Sequence, residues 1–321
     1  MTLFPIICML RKMVCVSMIV VCALSIRAVA EMPILTDVRA EGMGTAYTAV
    51  AHQSTALDWN PAGLGDMRRS DLTALFSQGF VDTKFTSISY GRPTDFGGWA
   101  LGWGRVSNEF EKTNAQDDFL GNGAVSNDVV MAGFGYYRLP VSLGLSVRYF
   151  SEKIDPVQLS GYAFDVGALY EYKKLRLGWA WKNILSNSLE GTGMAGDNVS
   201  EVIPPLMRAG AALTLPLDFD IQFLSGASVD PTINPEIWHC TLITAADVEI
   251  PVYRNQSLAV SPGLEVGVND LISFRAGLKQ CKDFSVGMSI KASAVSFDYA
   301  FVFNPSITNT HILSLSIYFG A

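Results

Sequence analysis

From about residue 70 onward, large apolar residues alternate with small or charged ones at a period of two. Val141, Leu143, Leu145, Val147 and Tyr149 alternate with Ser142, Gly144, Ser146 and Arg148. Leu175, Leu177, Trp179 and Trp181 alternate with Arg176, Gly178, Ala180 and Lys182, and the stretches 272–279 and 294–303 repeat the pattern. A period of two marks strands with one face in an apolar medium. The segments run to about ten residues, the length a tilted membrane-crossing strand needs and longer than the ~5–6 common in soluble sheets. Aromatic residues gather near their ends, among them Tyr90, Trp99, Tyr136, Tyr149, Tyr170, Tyr172, Phe303 and Phe319. Girdles of that kind flank the apolar band of a transmembrane barrel. The pattern predicts an all-β chain, a transmembrane antiparallel β-barrel whose large apolar face points to lipid. A soluble exported β-protein with that face turned inward is the competing reading.

Fifteen spans can be marked between residues 71 and 319, whereas a barrel with both ends on one side needs an even number. Short joins near 139, 173, 268–269 and 292 belong inside, and joins at 108–126, 151–159, 185–203, 251–256, 281–283 and 304–309 outside. The two ends of the chain agree only if one span between 204 and 250 is removed. Dropping 217–227 as a non-spanning excursion leaves about 14 strands, with 12 or 16 as the neighbouring counts. This topology puts Cys240 and Cys281 at opposite ends, as two free thiols.

The residues before the strands divide in two. Arg11 and Lys12 precede an apolar run, Met13 to Ile26, and Ala28-Val29-Ala30 offers a small-x-small cleavage site. Residues 1–30 read as a cleaved signal peptide with Glu31 beginning the mature chain. A retained membrane anchor is the alternative, although fourteen apolar residues fall short of the ~20 that span a bilayer. Residues 31–69 read as a hatch folded into the lumen of the barrel formed by 70–321. The stretch from Arg39 to Asp66 is rich in small residues and ends in Asn60-Pro61-Ala62-Gly63. Asn60 suits a helix cap and Pro61 the first helical position. Gly63 and Gly65 suit a tight exit turn.

The stretch GMGTAYTAVAHQSTALDWNPAGL resembles the N-terminal region of the FadL-type outer-membrane transporters, and especially their shorter PorV/PorQ-like members. The stretches Ala246–Glu249, Gly263–Glu265, Phe274–Gly277, Asp298–Ala300 and His311–Leu315 resemble the same family's C-terminal strands, in order. The resemblance implies a fourteen-stranded barrel with an inward-folded hatch. It also implies passage of long-chain fatty acids or other small hydrophobic compounds or, for PorV-like members, a partner role in protein secretion. Its hatch or gate residues would be Gly42, Gly44, Asn60, Pro61, Ala62 and Gly63. The final strand, with Leu313, Leu315, Ile317 and Phe319 on one face, resembles the C-terminal signal read by the barrel-assembly machinery, departing from it in the Gly320 and Ala321 that follow the last aromatic. The partners expected are outer-membrane lipid, a hydrophobic small-molecule substrate and that machinery.

Composition narrows the chemistry. Removing Arg11, Lys12 and Arg27 with the signal leaves 20 basic against 30 acidic residues, an excess of ten negative charges. That balance opposes a nucleic-acid surface. His52, His239 and His311 are the only histidines, none at metal-ligand spacing, and neither a G-x-S-x-G elbow nor a P-loop is present. No enzyme activity, metal or other cofactor is expected. With the apolar face to lipid, Arg148, Asp165, Glu171, Arg176, Lys182, Asp247, Glu249, Arg275, Lys279, Lys291 and Asp298 line the lumen. Their plainest use is to brace the barrel and anchor the hatch. Arg148 or Arg275 could instead bind a substrate carboxylate.

Overall fold

One strand shows which way the barrel faces. Along Val141–Ile154, Leu143, Leu145 and Tyr149 are each more than half exposed, while Ser146 and Arg148 are buried. Large apolar side chains point out and polar ones point in, the reverse of a soluble sheet. The same inversion runs through the other strands, with Trp179, Phe274, Phe297 and Leu315 outside and Lys182, Arg275, Ser296 and Ser316 inside. Only a lipid-facing exterior reconciles this pattern with the hydrophobic effect. Among the described residues no helix is long and apolar enough to cross a membrane.

The computed structural model describes residues 37–79, 83–113, 119–154, 157–192, 198–220, 237–252, 258–305 and 309–320. The signal-peptide reading of residues 1–30, and the start of the mature chain at Glu31, lie outside them. Fourteen strands form the barrel. The first seven are β1 (Ser70–Gln78), β2 (Lys84–Thr94), β3 (Gly97–Thr113), β4 (Phe119–Arg138), β5 (Val141–Ile154), β6 (Val157–Tyr172) and β7 (Leu175–Ser186). A two-stranded hairpin follows, β8 (Leu189–Thr192) and β9 (Asn198–Glu201). The remaining seven are β10 (Leu206–Asp220), β11 (Ile237–Pro251), β12 (Ala259–Val268), β13 (Ile272–Lys279), β14 (Asp283–Ala292), β15 (Val295–Phe303) and β16 (Thr310–Phe319). Each pairs antiparallel with its neighbours. β7 pairs with β10, and β1 with β16 in the register Ser70↔Phe319 to Gln78↔His311, so the sheet has no open edge.

Both ends of the barrel sequence and the two- to three-residue turns after β2, β4, β6, β12 and β14 lie at one end, here the turn end. Asn269 and Asp270, at φ 50° and 53°, form one of these hairpin turns. The opposite end, which carries the connections after β1, β3, β5, β7, β11, β13 and β15, is called the loop end.

The fourteen-strand barrel matches the sequence reading, with three differences of detail. Residues 217–220 continue β10, which pairs with β11 down to Asp220↔Ile237, so the excursion begins inside a longer strand; 221–236 lie outside the described residues. The expected 108–126 loop is largely strand, because β3 and β4 stay paired past the rim as far as Thr113↔Phe119. The 185–203 connection holds β8 and β9, and β8 pairs with the loop end of β6. Strands of four residues are too short to show a period. Among the described residues no disulfide forms. Cys240 is buried at the turn end of β11, and Cys281 sits in the β13–β14 turn at the loop end.

Candidate functional site

Residues 37–66 occupy the lumen. Met43, Ala46, Tyr47, Ala51, Leu57, Trp59 and Leu64 are almost wholly buried there. Three short elements organise the segment: α1 (Val38–Gly42), α2 (Ala56–Trp59) and a 3₁₀ helix over Pro61–Asp66. Asp37 caps α1, its Oδ1 accepting from the Arg39 amide at 2.7 Å, and its other oxygen accepts from the Thr55 hydroxyl. Asn60 caps the 3₁₀ helix from an extended conformation, with Oδ1 accepting from the Ala62 amide at 3.2 Å and Pro61 in the first position. The Asn60 amide also donates to the Thr48 carbonyl at 2.9 Å and to the Ala168 carbonyl of β6 at 3.3 Å. The Asn-Pro box therefore ties the segment both to itself and to the wall.

The wall is shaped to receive this backbone. A Cβ added at Gly144 would lie 2.1 Å from the Pro61 carbonyl carbon, and one at Gly277 would lie 2.2 Å from that of Met43. Gly44 has φ +62° and faces the Leu278 amide of β13, while Gly42 packs on Gly287 of β14. Gly63 has a different role from the one expected. Its φ is not in the left-handed region; an added Cβ would lie 2.4 Å from the Ala51 carbonyl oxygen, so close approach sets the requirement.

Charges lock the segment in place. Towards the loop end, Asp58 Oδ1 accepts from Lys182 Nζ at 2.9 Å and lies 3.2 Å from Arg148 Nη1. Arg148 also holds Asp165, Nε to Oδ2 at 2.7 Å, and the other Asp165 oxygen accepts from the Asn183 amide at 2.7 Å. Burial alone would raise the Asp58 pKa, but Lys182 and then Arg148 hold it below the ordinary carboxylate value. On the other side, Arg39 donates two hydrogen bonds of 2.7 Å to Glu265, which also accepts from Arg275 at 2.5 Å. Arg275 continues to Ser289 at 2.5 Å and to Asp298 at 3.4 Å. Lys279 pairs with Glu41 at 3.3 Å. Asp247 of β11 accepts from the Tyr47 and Thr48 amides at 2.9 and 2.7 Å, and Asp71 of β1 accepts from Ser54. Arg208 stacks over the Trp59 ring, 4.9 Å from its centroid. His52, beside Arg39 Nη1 at 2.9 Å, is held well below the ordinary imidazole pKa, first by burial and then by the Arg39 and Arg176 charges.

Two cavities flank the segment. The one at the loop end, ≈ 160 Å³, is lined by Arg148, Phe150, Glu152, Leu189, Val202 and Ile203. The one at the turn end, ≈ 180 Å³, is lined by Arg39, His52, Arg275, Asp298 and a bank of serines. Arg148 and Arg275, the two cationic candidates from the sequence, therefore belong to different cavities, and each is engaged with carboxylates. Asp58, Glu265, Arg39, Glu41 and Asp71 were not singled out from the sequence. The available signal was charge inside a segment expected to be enclosed: Arg39, Glu41 and Asp58 each require an opposite partner on the wall.

The model of a family described as an uncharacterised protein family, UPF0164, matches residues 24–151. No curated protein matches the chain. Among solved structures, the P. putida toluene transporter TodX superposes with a TM-score of 0.53 at 12% identity, covering 90% of this chain and 100% of that one. The Ralstonia pickettii toluene transporter TbuX gives 0.51 at 11%, with 90% and 100% coverage. A TodX monoaromatic hydrocarbon channel carrying the deltaS2 mutation also gives 0.51 at 11%, with the same coverage. The chain has the fold of these transporter and channel barrels.

Proposed function

We propose that this protein is an outer-membrane channel for small hydrophobic compounds, with residues 37–66 acting as its hatch. The carrying observation is how the hatch is held. Its body rests on wall glycines, while its attachment depends on a few ion pairs, and in the one that joins Asp58 to Lys182 and Arg148 it is Arg148 that lines the loop-end cavity. A compound entering beside Phe150, Leu189, Val202 and Ile203 reaches Arg148 directly. Displacing Arg148 from Asp58 would release the α2 end of the hatch. Similarity in fold to two toluene transporters supports the hydrophobic substrate class, and the ≈ 160 Å³ cavity favours compact compounds over long-chain fatty acids. Loops outside and termini in the periplasm are part of this reading, as is removal of residues 1–30 on export.

Uptake of labelled toluene and of a labelled long-chain fatty acid by cells carrying the protein tests the proposal. Toluene entry above that of cells lacking it is expected, with a smaller gain for the fatty acid. No gain for either compound overturns the channel reading. A second reading, a non-transporting secretion partner of the PorV-like kind, is favoured by one observation. The hatch backbone packs on wall glycines around the lumen, at Gly135, Gly144, Gly178, Gly210 and Gly277, and separates the two cavities. Co-purification with a secretion apparatus, together with absent uptake, would select it.

A further inference from the structure

The half of the lumen bounded by β1 and β13–β16 is built differently from the rest. Its turn-end cavity is faced by hydroxyls, Thr73, Ser289, Ser296, Ser314 and Ser316, with the Asp298 carboxylate among them. Thr73 and Ser316 bond to each other at 2.8 Å across the β1–β16 seam, and Ser296 donates to Asp298 at 3.0 Å. A polar space of ≈ 180 Å³ has room for on the order of ten waters at 10–15 Å³ each. Such a lining offers each water the polar partners it needs, which makes this chamber a place for water.

The wall changes character immediately towards the loop end. Val38 of α1, Leu75 of β1, Ala300 and Val302 of β15 and Ile312 of β16 form an apolar cluster of their own, apart from the main core. The register staggers this change over three neighbouring strands, β1 turning apolar one lumen-facing step nearer the turn end than β15 and β16. Lumen-facing positions run Thr73 then Leu75 on β1, Ser314 then Ile312 on β16, and Asp298 then Ala300 and Val302 on β15. Leu75 stands opposite Ser314, and Ala300 opposite Ile312, so the apolar residues form a step across the three strands, with Ser77 beside Ile312. Val38 and Leu75 also line the chamber, so the apolar ring is its ceiling.

A hydrophobic constriction beside a hydrated space excludes water and ions without any charged barrier. Four of the five ring residues belong to the closed sheet. Val38 alone rides on the inserted segment, in a five-residue helix held by its Asp37 cap and by the Arg39–Glu265 pair. A displacement of α1 widens the ring without disturbing the sheet. We propose that this half of the lumen is a second path, for water and small hydrophilic ions, gated by the collar of Val38, Leu75, Ala300, Val302 and Ile312. It goes beyond the hydrophobic passage proposed above and does not depend on it.

The test is potassium chloride current through the full-length protein in a planar bilayer. Leu75→Ser and Ile312→Ser each shorten and wet the collar, and each should raise conductance several-fold over the parent. Ser314→Phe fills the chamber beside Leu75, its cross-strand partner, and combined with Leu75→Ser it should return the current to the parental level. Unchanged current in both serine variants overturns the proposal. So does a Leu75→Ser current that survives Ser314→Phe, because the ions would then pass elsewhere. Heat-modifiable gel migration reports whether each barrel is folded. Should the wall variants fail that control, Val38→Ser, which leaves the sheet intact, must give the same rise, and a parental current in that variant overturns the proposal.

Discussion

Replacing Asp58 by Asn puts the ion-pair lock on the proposed hatch under the most direct strain. The carboxylate is 2% exposed, as is Lys182, and Arg148 is 5% exposed, so none of the three charges is screened by bulk water. In the parent, Asp58 pairs with Lys182 and Arg148, and Arg148 also holds Asp165; in the variant both cations lose the Asp58 charge while Arg148 keeps Asp165. Leaving a buried charge without its partner costs about 3–5 kcal/mol. If that cost falls on the docked hatch, its opening equilibrium shifts by roughly 10² to 10³, at 1.4 kcal/mol per tenfold. Hydrogen exchange of a peptide spanning residues 56–66 measures this directly, and those amides should lose protection by that factor while amides of β13–β15 keep theirs. Asp58→Asn combined with Lys182→Met removes both members of the pair, and its protection should lie nearer the parent than that of Asp58→Asn alone. Parental protection in Asp58→Asn, or a double variant no better than the single, would refute the idea that this ion pair holds the hatch.

Acid should also loosen the hatch. The His52 value in the folded protein lies below the ~6.5 of a free imidazole. The unfolded segment therefore takes up the proton first, and stability falls as pH drops below about 6.5. His52→Gln should flatten the upper part of that decline in exchange measured against pH. Asp58 contributes a further decline at lower pH, because its depressed value gives stability that is present above the free carboxylate value and lost as pH falls through the folded one. Gly144→Ala places a methyl against the Pro61–Ala62 peptide and should cost about 1–3 kcal/mol, read as lost exchange protection over 60–66 in a barrel that still shows heat-modifiable migration. Asn60→Ala removes the cap on Ala62 and the bond to the Thr48 carbonyl. It should destabilise hatch docking by about 0.5–2 kcal/mol, and Asn60→Asp, which keeps the capping oxygen, should restore part of the loss.

The alternation along Val141–Tyr149, Leu175–Lys182 and Val295–Phe303 carried the barrel. A period of two is local, and its length and aromatic ends select lipid over water as the apolar medium. Counting connections removed 217–227 because alternating inside and outside is itself a constraint on the whole chain. The Asn60-Pro61 cap was legible for the same local reason, since capping joins residues two apart. Gly63 was misjudged because close approach to Ala51 depends on where a distant part of the fold lies. Pairings such as Asp58 with Lys182, 124 positions apart, and Arg39 with Glu265, 226 apart, have no local signature. They exist because closing the sheet brings β5, β7, β12 and β13 around one inserted segment. Division of the lumen was hidden likewise: Arg148 and Arg275 look equivalent on their strands, and only the closed barrel assigns them to opposite cavities. The sequence by itself determined strands, facing and cap, which depend on neighbours along the chain. Tertiary structure decided the locks, cavities and apolar collar, which depend on neighbours across the lumen.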